Sequence, residues 1–593
     1  MGIFESAHGH NHAQFHMQHG RTPDGTAIDV IHRYFNGVVI TSNDAMPYAS
    51  WISIRNGHFV EIGNDSDLPT IDGTYESVNL HKHLVTAGLG DVHVHFLSGG
   101  MSLKAMNLKG KSMKTVVHEL ELRVKSRTEG NKRSDANISE WIIGYNFDGE
   151  FDEQDCNAIS KASPHNPVIL YRFDAHQVLV NRLVLQVAGI DETSSDPEGG
   201  KIGRLAGSRV PNGLLYDASI QMVARHMPAA SEEDLKEALI QAQNYAFQRG
   251  VTFVHDMGRV AFEVGHEAAL DDLQNIYMPA ARNGDLKIRL RSFVSLHVWE
   301  PLVEMIRVFG TKENRLSFGS VKEFFDGSLS SRTAYMHKEY IDDAGNRGIR
   351  TVNVSQFESQ VFDAHRAGLQ IGVHAIGSQA VDEVVSFFEK LHHAELRTSC
   401  ASQHIPFRHR IEHVQHLSSW DILDRMKKLG IQITPNPLHR KSDLEIIHQR
   451  LGPEEERFAY AFRKFASHNI NMGLASDWPV ADMDPWATLL ASMDPSNEHS
   501  LSFTQALHFV TRGAAKLGDI EDNIGMIAPG MLADFVIHSC DSSNKQRNGR
   551  ILGIDQDKSI PADVRYLVEC RSGVKETHVQ GECVHGCNTK PEE

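Results

Sequence analysis

Eight short apolar runs, each the size of a buried strand and most separated by helical patterns, constrain this chain more than any other feature. They are LVTAGLGDVHVHF (84–96), VTFVHDMG (251–258), LKIRLRSFVSL (286–296), LSFGSVKEFFDGS (316–328), LQIGVHAIG (369–377), HRIEHVQHL (409–417), IQITPNP (431–437) and NMGLASDWPV (471–480). The later intervals carry helix signals, as in SQAVDEVVSFFEKLHH (378–393), which opens on a serine suited to the N-cap. Strand then helix, repeated eight times, predicts an α/β fold, a (β/α)8 TIM barrel.

At 593 residues the chain exceeds what one core usually supports, and the remaining sequence suggests where the excess goes. FNGVVITS, ASWISIRNGHFVEIG and YESVNL alternate like short strands, with Asn56-Gly57 as a tight-turn signal. MLADFVIH, ADVRYLVEC and ETHVQGECV read as strands near the other end. Residues 30–80 and 516–590 are therefore expected to pair as one small composite β domain around a barrel spanning 81–515. Some 150 residues separate the first run from the second (about that many by the numbering), too many for one crossover helix. The segment 105–230 is read as an α/β insertion over the barrel mouth, with a helix near 112–127, strands WIIGYN and PVILYR, and a helix near 231–249 leading back. Residues 1–29, with His8, His10, His12, His16 and His19, read as a mobile His-rich tail.

Several function classes fall away. A net charge of −17, with lysine and arginine scattered, opposes nucleic acid and anionic membranes as partners. No apolar run reaches membrane-spanning length, and MGIFESAHGH lacks the features of a secretory signal, so a cytoplasmic protein is expected. Gly2 and Ser6 match the myristoylation pattern, but no lysine follows; a chance match is the simpler reading. Six widely spread cysteines make no disulfide framework and fit a reducing compartment. Cys583 and Cys587 could hold a metal only with a second ligand pair, and none accompanies them in sequence. Symmetry statistics favour a homodimer.

The chemistry concentrates at the predicted strand ends. His93 and His95 lie two apart on the first strand and so share a face. Lys322 lies on the fourth strand, His374 ends the fifth, His413 the sixth and Asp477 the eighth. In this fold the carboxyl ends of the strands face one site. Any single histidine among 35 is more often a hydrogen-bonded core residue than a ligand, but six matched residues at six such positions point to a metal centre. Arg410 and Glu412 flank His413 as orienting partners. Asp174 and His176 in FDAHQ, Asp148, and His439 after the seventh strand are candidate substrate contacts, while Trp141 on an apolar strand is more often core.

GLGDVHVHF resembles the first-strand signature of the amidohydrolase superfamily. Further motifs, among them WIIGYNFDGE (141–150), VKEFFDGSLSSRTA (321–334), GVHAIGSQAV (372–381), RIEHVQ (410–415) and GLASDWPV (473–480), resemble the branch (amidohydrolase family 3) that includes N-substituted formamide deformylases. That resemblance implies metal ligation by His93, His95, His374, His413 and Asp477, and a carbamate on Lys322 bridging two ions. It also implies proton transfer by Asp477. Ala87-Gly88-Leu89-Gly90 departs from the Pro-Gly-apolar-apolar stretch usual at this point.

The expected reaction is hydrolysis of a C–N bond in a small amide, formamide or related compound. A divalent ion, zinc by default for such ligands and one or two in number, lowers the pKa of water from about 15.7 to about 7. Asp477 then takes the proton and returns it to the leaving nitrogen. The alternatives are another bond on the same scaffold (a lactone, an ester or ring deamination) and a non-catalytic binding protein.

Overall fold

The computed structural model describes residues 30–68, 75–130, 141–152, 154–173, 176–259, 265–398, 408–444, 446–540 and 560–587. The N-terminal tail through residue 29, Asp174 and Cys400 lie outside them.

The expected runs form one parallel sheet: β1 Leu89–Val94, β2 Val251–Asp256, β3 Arg289–Ser295, β4 Leu316–Phe324, β5 Gln370–Ala375, β6 Arg410–His413, β7 Gln432–Thr434 and β8 Asn471–Met472. They lie side by side in chain order, every neighbouring pair parallel. All residues of β1, β2, β5, β6 and β7 are buried, as expected for strands covered on both faces. The sheet curls. After the two-residue β8 the chain runs beside the end of β1, where Val94 bridges Trp478 in parallel. His95 N donates to Trp478 O at 2.7 Å, and Asp477 N to His93 O at 2.9 Å. These bonds set the first and last metal-capable motifs against each other.

The departure at Gly90, and the glycine kept at 88, have a steric cause. A Cβ on Gly90 would lie 2.1 Å from the Phe253 ring, and one on Gly88 would lie 2.3 Å from Thr252 Oγ1. Strand β2 presses its side chains onto the β1 backbone, and only glycine lets it approach.

The segment after β1 carries its own six-stranded sheet, ordered Gly200–Arg204, Pro211–Asp217, Gln177–Val180, Val168–Arg172, Ile142–Phe147, Met106–Asn107. Helix Glu232–Phe247 then leads back to β2, its start fixed by a capping box between Ser231 and Asp234. Trp141 packs against the core of the inserted sheet. Strands from the two ends of the chain share another sheet, ordered Glu582–His585, Arg571–Val579, Phe535–Cys540, Leu84–Ala87, Val38–Ile40, Tyr48–Ala49. Asn56 (φ 51°) and Gly57 (φ 76°) make the tight turn between Trp51–Arg55 and His58–Gly63.

Two sequence readings need correction. ADVRYLVEC, expected to be a strand, is the helix Ala562–Cys570. Pro561 precedes its first turn, and Val564 and Val568 are buried four residues apart, a helical and not an alternating spacing. The cysteines are also less inert than their spread suggested. Cys583 and Cys587 are joined as a disulfide with Cα atoms 5.9 Å apart, and Cys540 is disulfide-bonded too; Cys156 is free and buried. Among the described residues no helix is long and apolar enough to cross a membrane.

Candidate metal centre

His93, His95 and Asp477 bring ligand atoms within 4.8 Å of one another, and so do His413, His439 and Asp477. Asp477 belongs to both groups, and all five residues are buried or nearly so. The Asp477 carboxylate faces three imidazoles: Oδ1 lies 3.3 Å from His93 Nε2 and 3.4 Å from His95 Nε2, and Oδ2 lies 3.8 Å from His439 Nε2. Lys322 Nζ is 3.5 Å from His93 Nε2.

What makes this more than a polar core is how the rings are held from behind. His93 Nδ1 bonds Glu412 Oε2 at 2.7 Å, His95 Nδ1 bonds the Gly258 carbonyl at 2.7 Å, and His413 Nδ1 bonds Asn436 Oδ1 at 2.7 Å. Each outer nitrogen is spent on an oxygen acceptor, which turns Nε2 inward as a lone-pair donor. That is how metal-ligating histidines are usually oriented. Glu412 is itself gripped by Arg410, with Nε to Oε1 and Nη2 to Oε2 both at 2.9 Å, and it accepts from Thr434 Oγ1. Arg410 also donates to the Val92 carbonyl at 2.7 Å. The two expected orienting residues thus act on His93, across the sheet, and not on their neighbour His413.

The electrostatics suit a cation. Burial alone would raise the Asp477 and Glu412 carboxyls; His93 and His95 around the first, and Arg410 and His93 around the second, hold both well below the usual range. Burial, then neighbouring charge, holds His374 and His413 well below the ordinary imidazole value, so both rings are in the neutral form that binds metal. Burial lowers the Lys322 amine to about 8 against the pull of Glu412 and Asp477. Backbone strain gathers at the same place: His413 (φ 72°), Val414 (φ 47°) and Asp477 (φ 63°) occupy the left-handed region, which a β-branched valine rarely enters.

The remaining sequence candidates divide. The His374 ring packs 4.4 Å from that of His413, but its Nε2 turns to the Gly327 carbonyl at 3.2 Å and to Asp326 Oδ1 at 3.5 Å. His176 packs 5.1 Å from His374 and is held by Asp217, Nδ1 to Oδ1 at 2.6 Å. A cavity of about 30 Å³ is lined by Phe173, His176, Leu329, His374, His439 and Asp477, so the insertion does contribute to the site. Beyond Ser330 lies a second cavity of about 580 Å³, lined by residues including Arg172, Gln177 and Arg332. Asp148 is elsewhere: it is exposed, and both carboxylate oxygens accept from Gly110 N at 3.0 Å, capping a turn. His439, expected to face substrate, lies within ligand distance of His413 and Asp477.

Sequence reasoning missed Asp326, Asp91, Asn436 and Asp217. Asp326 is fully buried, accepts from Ile376 N (2.9 Å), Gly377 N (2.8 Å) and Tyr335 N (2.9 Å), and burial raises its carboxyl to about 7. Asp91 is raised to about 7 in the same way and ties Ser476 N to β1 at 3.1 Å. Both sit inside quoted motifs, GLGDVHVHF and VKEFFDGS, where a carboxylate in an apolar run was the available signal.

Residues 76–585 match the sequence profile of the amidohydrolase family. The chain belongs to that family. This amidohydrolase is 34% identical over 536 residues to Protein LONG AFTER FAR-RED 3 of Arabidopsis thaliana, covering 88% of each chain. It is 22% identical over 523 residues to the N-substituted formamide deformylase of Arthrobacter pascens, covering 82% of this chain and 90% of that one. A solved structure of an uncharacterized metal-dependent hydrolase from Pyrococcus horikoshii superposes with a TM-score of 0.65 at 23% identity. It covers 86% of this chain and 98% of that one, a likeness that concerns the fold.

Proposed function

We propose that this amidohydrolase is a metal-dependent hydrolase that cleaves a C–N bond of a small N-substituted amide, on a parallel sheet that closes as a (β/α)8 barrel. The observation that carries the reading is three histidines anchored through Nδ1 around a buried Asp477, two of them with Nε2 on its carboxylate and the third within ligand range of it. Zinc suits these borderline nitrogen and oxygen donors, and two donor groups sharing one carboxylate favour two ions.

When bound, a divalent ion polarises the scissile carbonyl and acidifies an attacking water. Asp477, held ionised, takes the proton from that water and delivers it to the departing nitrogen. Lys322, with its amine lowered to about 8, keeps a neutral fraction that can add to carbon dioxide with loss of one proton. The product is an anionic oxygen donor, whereas the protonated amine would repel a cation. His176, its ring fixed by Asp217, meets the substrate acyl group in the cavity that Asp477 also lines. The 580 Å³ cavity beyond Ser330 is of a size to take the nitrogen substituent.

The test is metal content and turnover on protein purified without added metal, assayed in parallel against amides, lactones and amino-heterocycles. Bound metal and amine release from an amide are expected. Chelation should abolish turnover and lower the melting temperature, since an ion bound only by the folded state stabilises it. No bound metal and no turnover would overturn the reading, and a lactone preference of orders of magnitude would move it to another bond. His176→Gln should lower kcat/KM by roughly 10²-fold with metal content unchanged; full activity in that variant would remove His176 from the site.

A further inference from the structure

A second cluster of metal-capable side chains lies on the C-terminal hairpin, outside the site described above. Glu576, His578 and Cys583 bring their ligand atoms within 4.8 Å of one another. Sequence places no second ligand pair beside Cys583 and Cys587, but the hairpin register does. Glu576 and His578 are two apart on strand Arg571–Val579 and share its face, while Thr577 points the other way to donate to the Phe247 carbonyl at 2.7 Å. His578 pairs directly across the ladder with Cys583 on strand Glu582–His585, and Cys583 is bonded to Cys587. The turn between these strands therefore brings a carboxylate, an imidazole and two sulfurs together.

The imidazole carries the argument beyond a simple staple. His578 is only 3% exposed and stacks on Phe535 with ring centroids 4.2 Å apart. Its Nε2 meets Glu576 Oε2 at 3.1 Å, while among the described residues the buried Nδ1 has no hydrogen-bond partner. A buried imidazole whose hydrogen-bonding capacity is only half used is costly unless something binds the ring. A Cys-x3-Cys pair with one histidine and one carboxylate is a four-ligand set that suits a tetrahedral ion.

We propose that this hairpin is a redox-gated site for a zinc-type divalent cation, with Glu576, His578, Cys583 and Cys587 as its ligands. A dithiol reductant supplies two electrons and two protons, its own thiols closing to a disulfide while the Cys583–Cys587 bond opens to two thiols. Cation binding then releases those two thiol protons to solvent and joins both sulfurs to the ion as thiolates. In the oxidised chain the sulfurs are tied to each other and the site is off.

Cobalt(II) added to the full-length protein tests this, before and after reduction by a phosphine. The barrel centre offers only nitrogen and oxygen donors, so a thiolate-to-cobalt charge-transfer band can report only on a cysteine site. Expected is one further equivalent of cobalt per chain on reduction, with the charge-transfer band and the intense visible bands of a tetrahedral ion. Cys583→Ser and, separately, Cys587→Ser should lose the extra equivalent and the band while keeping the barrel metal. Because Cys587 is exposed, its variant folds even if the other does not. No added equivalent on reduction, or a band that survives in reduced Cys587→Ser protein, would overturn the proposal.

Discussion

Asp477→Asn is expected to lower kcat/KM by roughly 10³- to 10⁴-fold, the upper range for losing a proton-transfer group. The amide is nearly isosteric, so the bonds from Asp477 N to His93 O and from His95 N to Trp478 O should survive and the fold with them. What is lost is the anion that both donor groups share. Metal content by elemental mass spectrometry should fall together with kcat if, as proposed, one carboxylate serves ligation and proton transfer. An Asn variant with native turnover on a confirmed amide substrate would remove Asp477 from the chemistry.

Glu412→Gln acts through a different mechanism and should show the largest loss of stability. Glu412 and Arg410 are both fully buried, and the carboxylate answers Arg410, His93 and Thr434 at once. Removing its charge strands the guanidinium in a low dielectric, at a cost of about 3–5 kcal/mol. His93 also loses its anionic anchor, which should weaken metal binding by about 10- to 100-fold. Denaturant unfolding of metal-free protein isolates the first effect and metal titration the second. A double variant, Arg410→Met with Glu412→Leu, should recover much of the stability but not the affinity, since the buried charge goes while the His93 partner stays absent. If it recovered neither, the pair would matter for shape and not for charge.

The chain's local patterning was enough to reveal the parallel strands and most of the side chains that gather around Asp477. Burial on both faces writes continuous apolar runs into a sequence, and a two-residue spacing puts His93 and His95 on one side without knowledge of any other contact. The aspartate at 477 and the lysine at 322 stood out by position, on the eighth and fourth runs near the strand ends that face one site in this fold. Local patterning misled where period and burial disagreed, as in Ala562–Cys570, where a run read as alternating turned out to be helical once Val564 and Val568 met the core.

Tertiary structure alone decided which side chains meet. Nothing near His93 in sequence announces Glu412 as its partner, nor Gly258 for His95, because those bonds join segments 319 and 163 residues apart. The same holds for Asp148, which a motif suggested for the pocket and which folding leaves exposed at a turn. It holds too for His439, which the helix Pro437–Asp443 after β7 carries to ligand distance of Asp477, and for His578, set opposite Cys583 by hairpin register. Residue type and spacing record what a position can do chemically and which face it shares. Which remote groups it meets depends on strand register and on how far the sheet curls, quantities that belong to the packed molecule and to no single stretch of the chain.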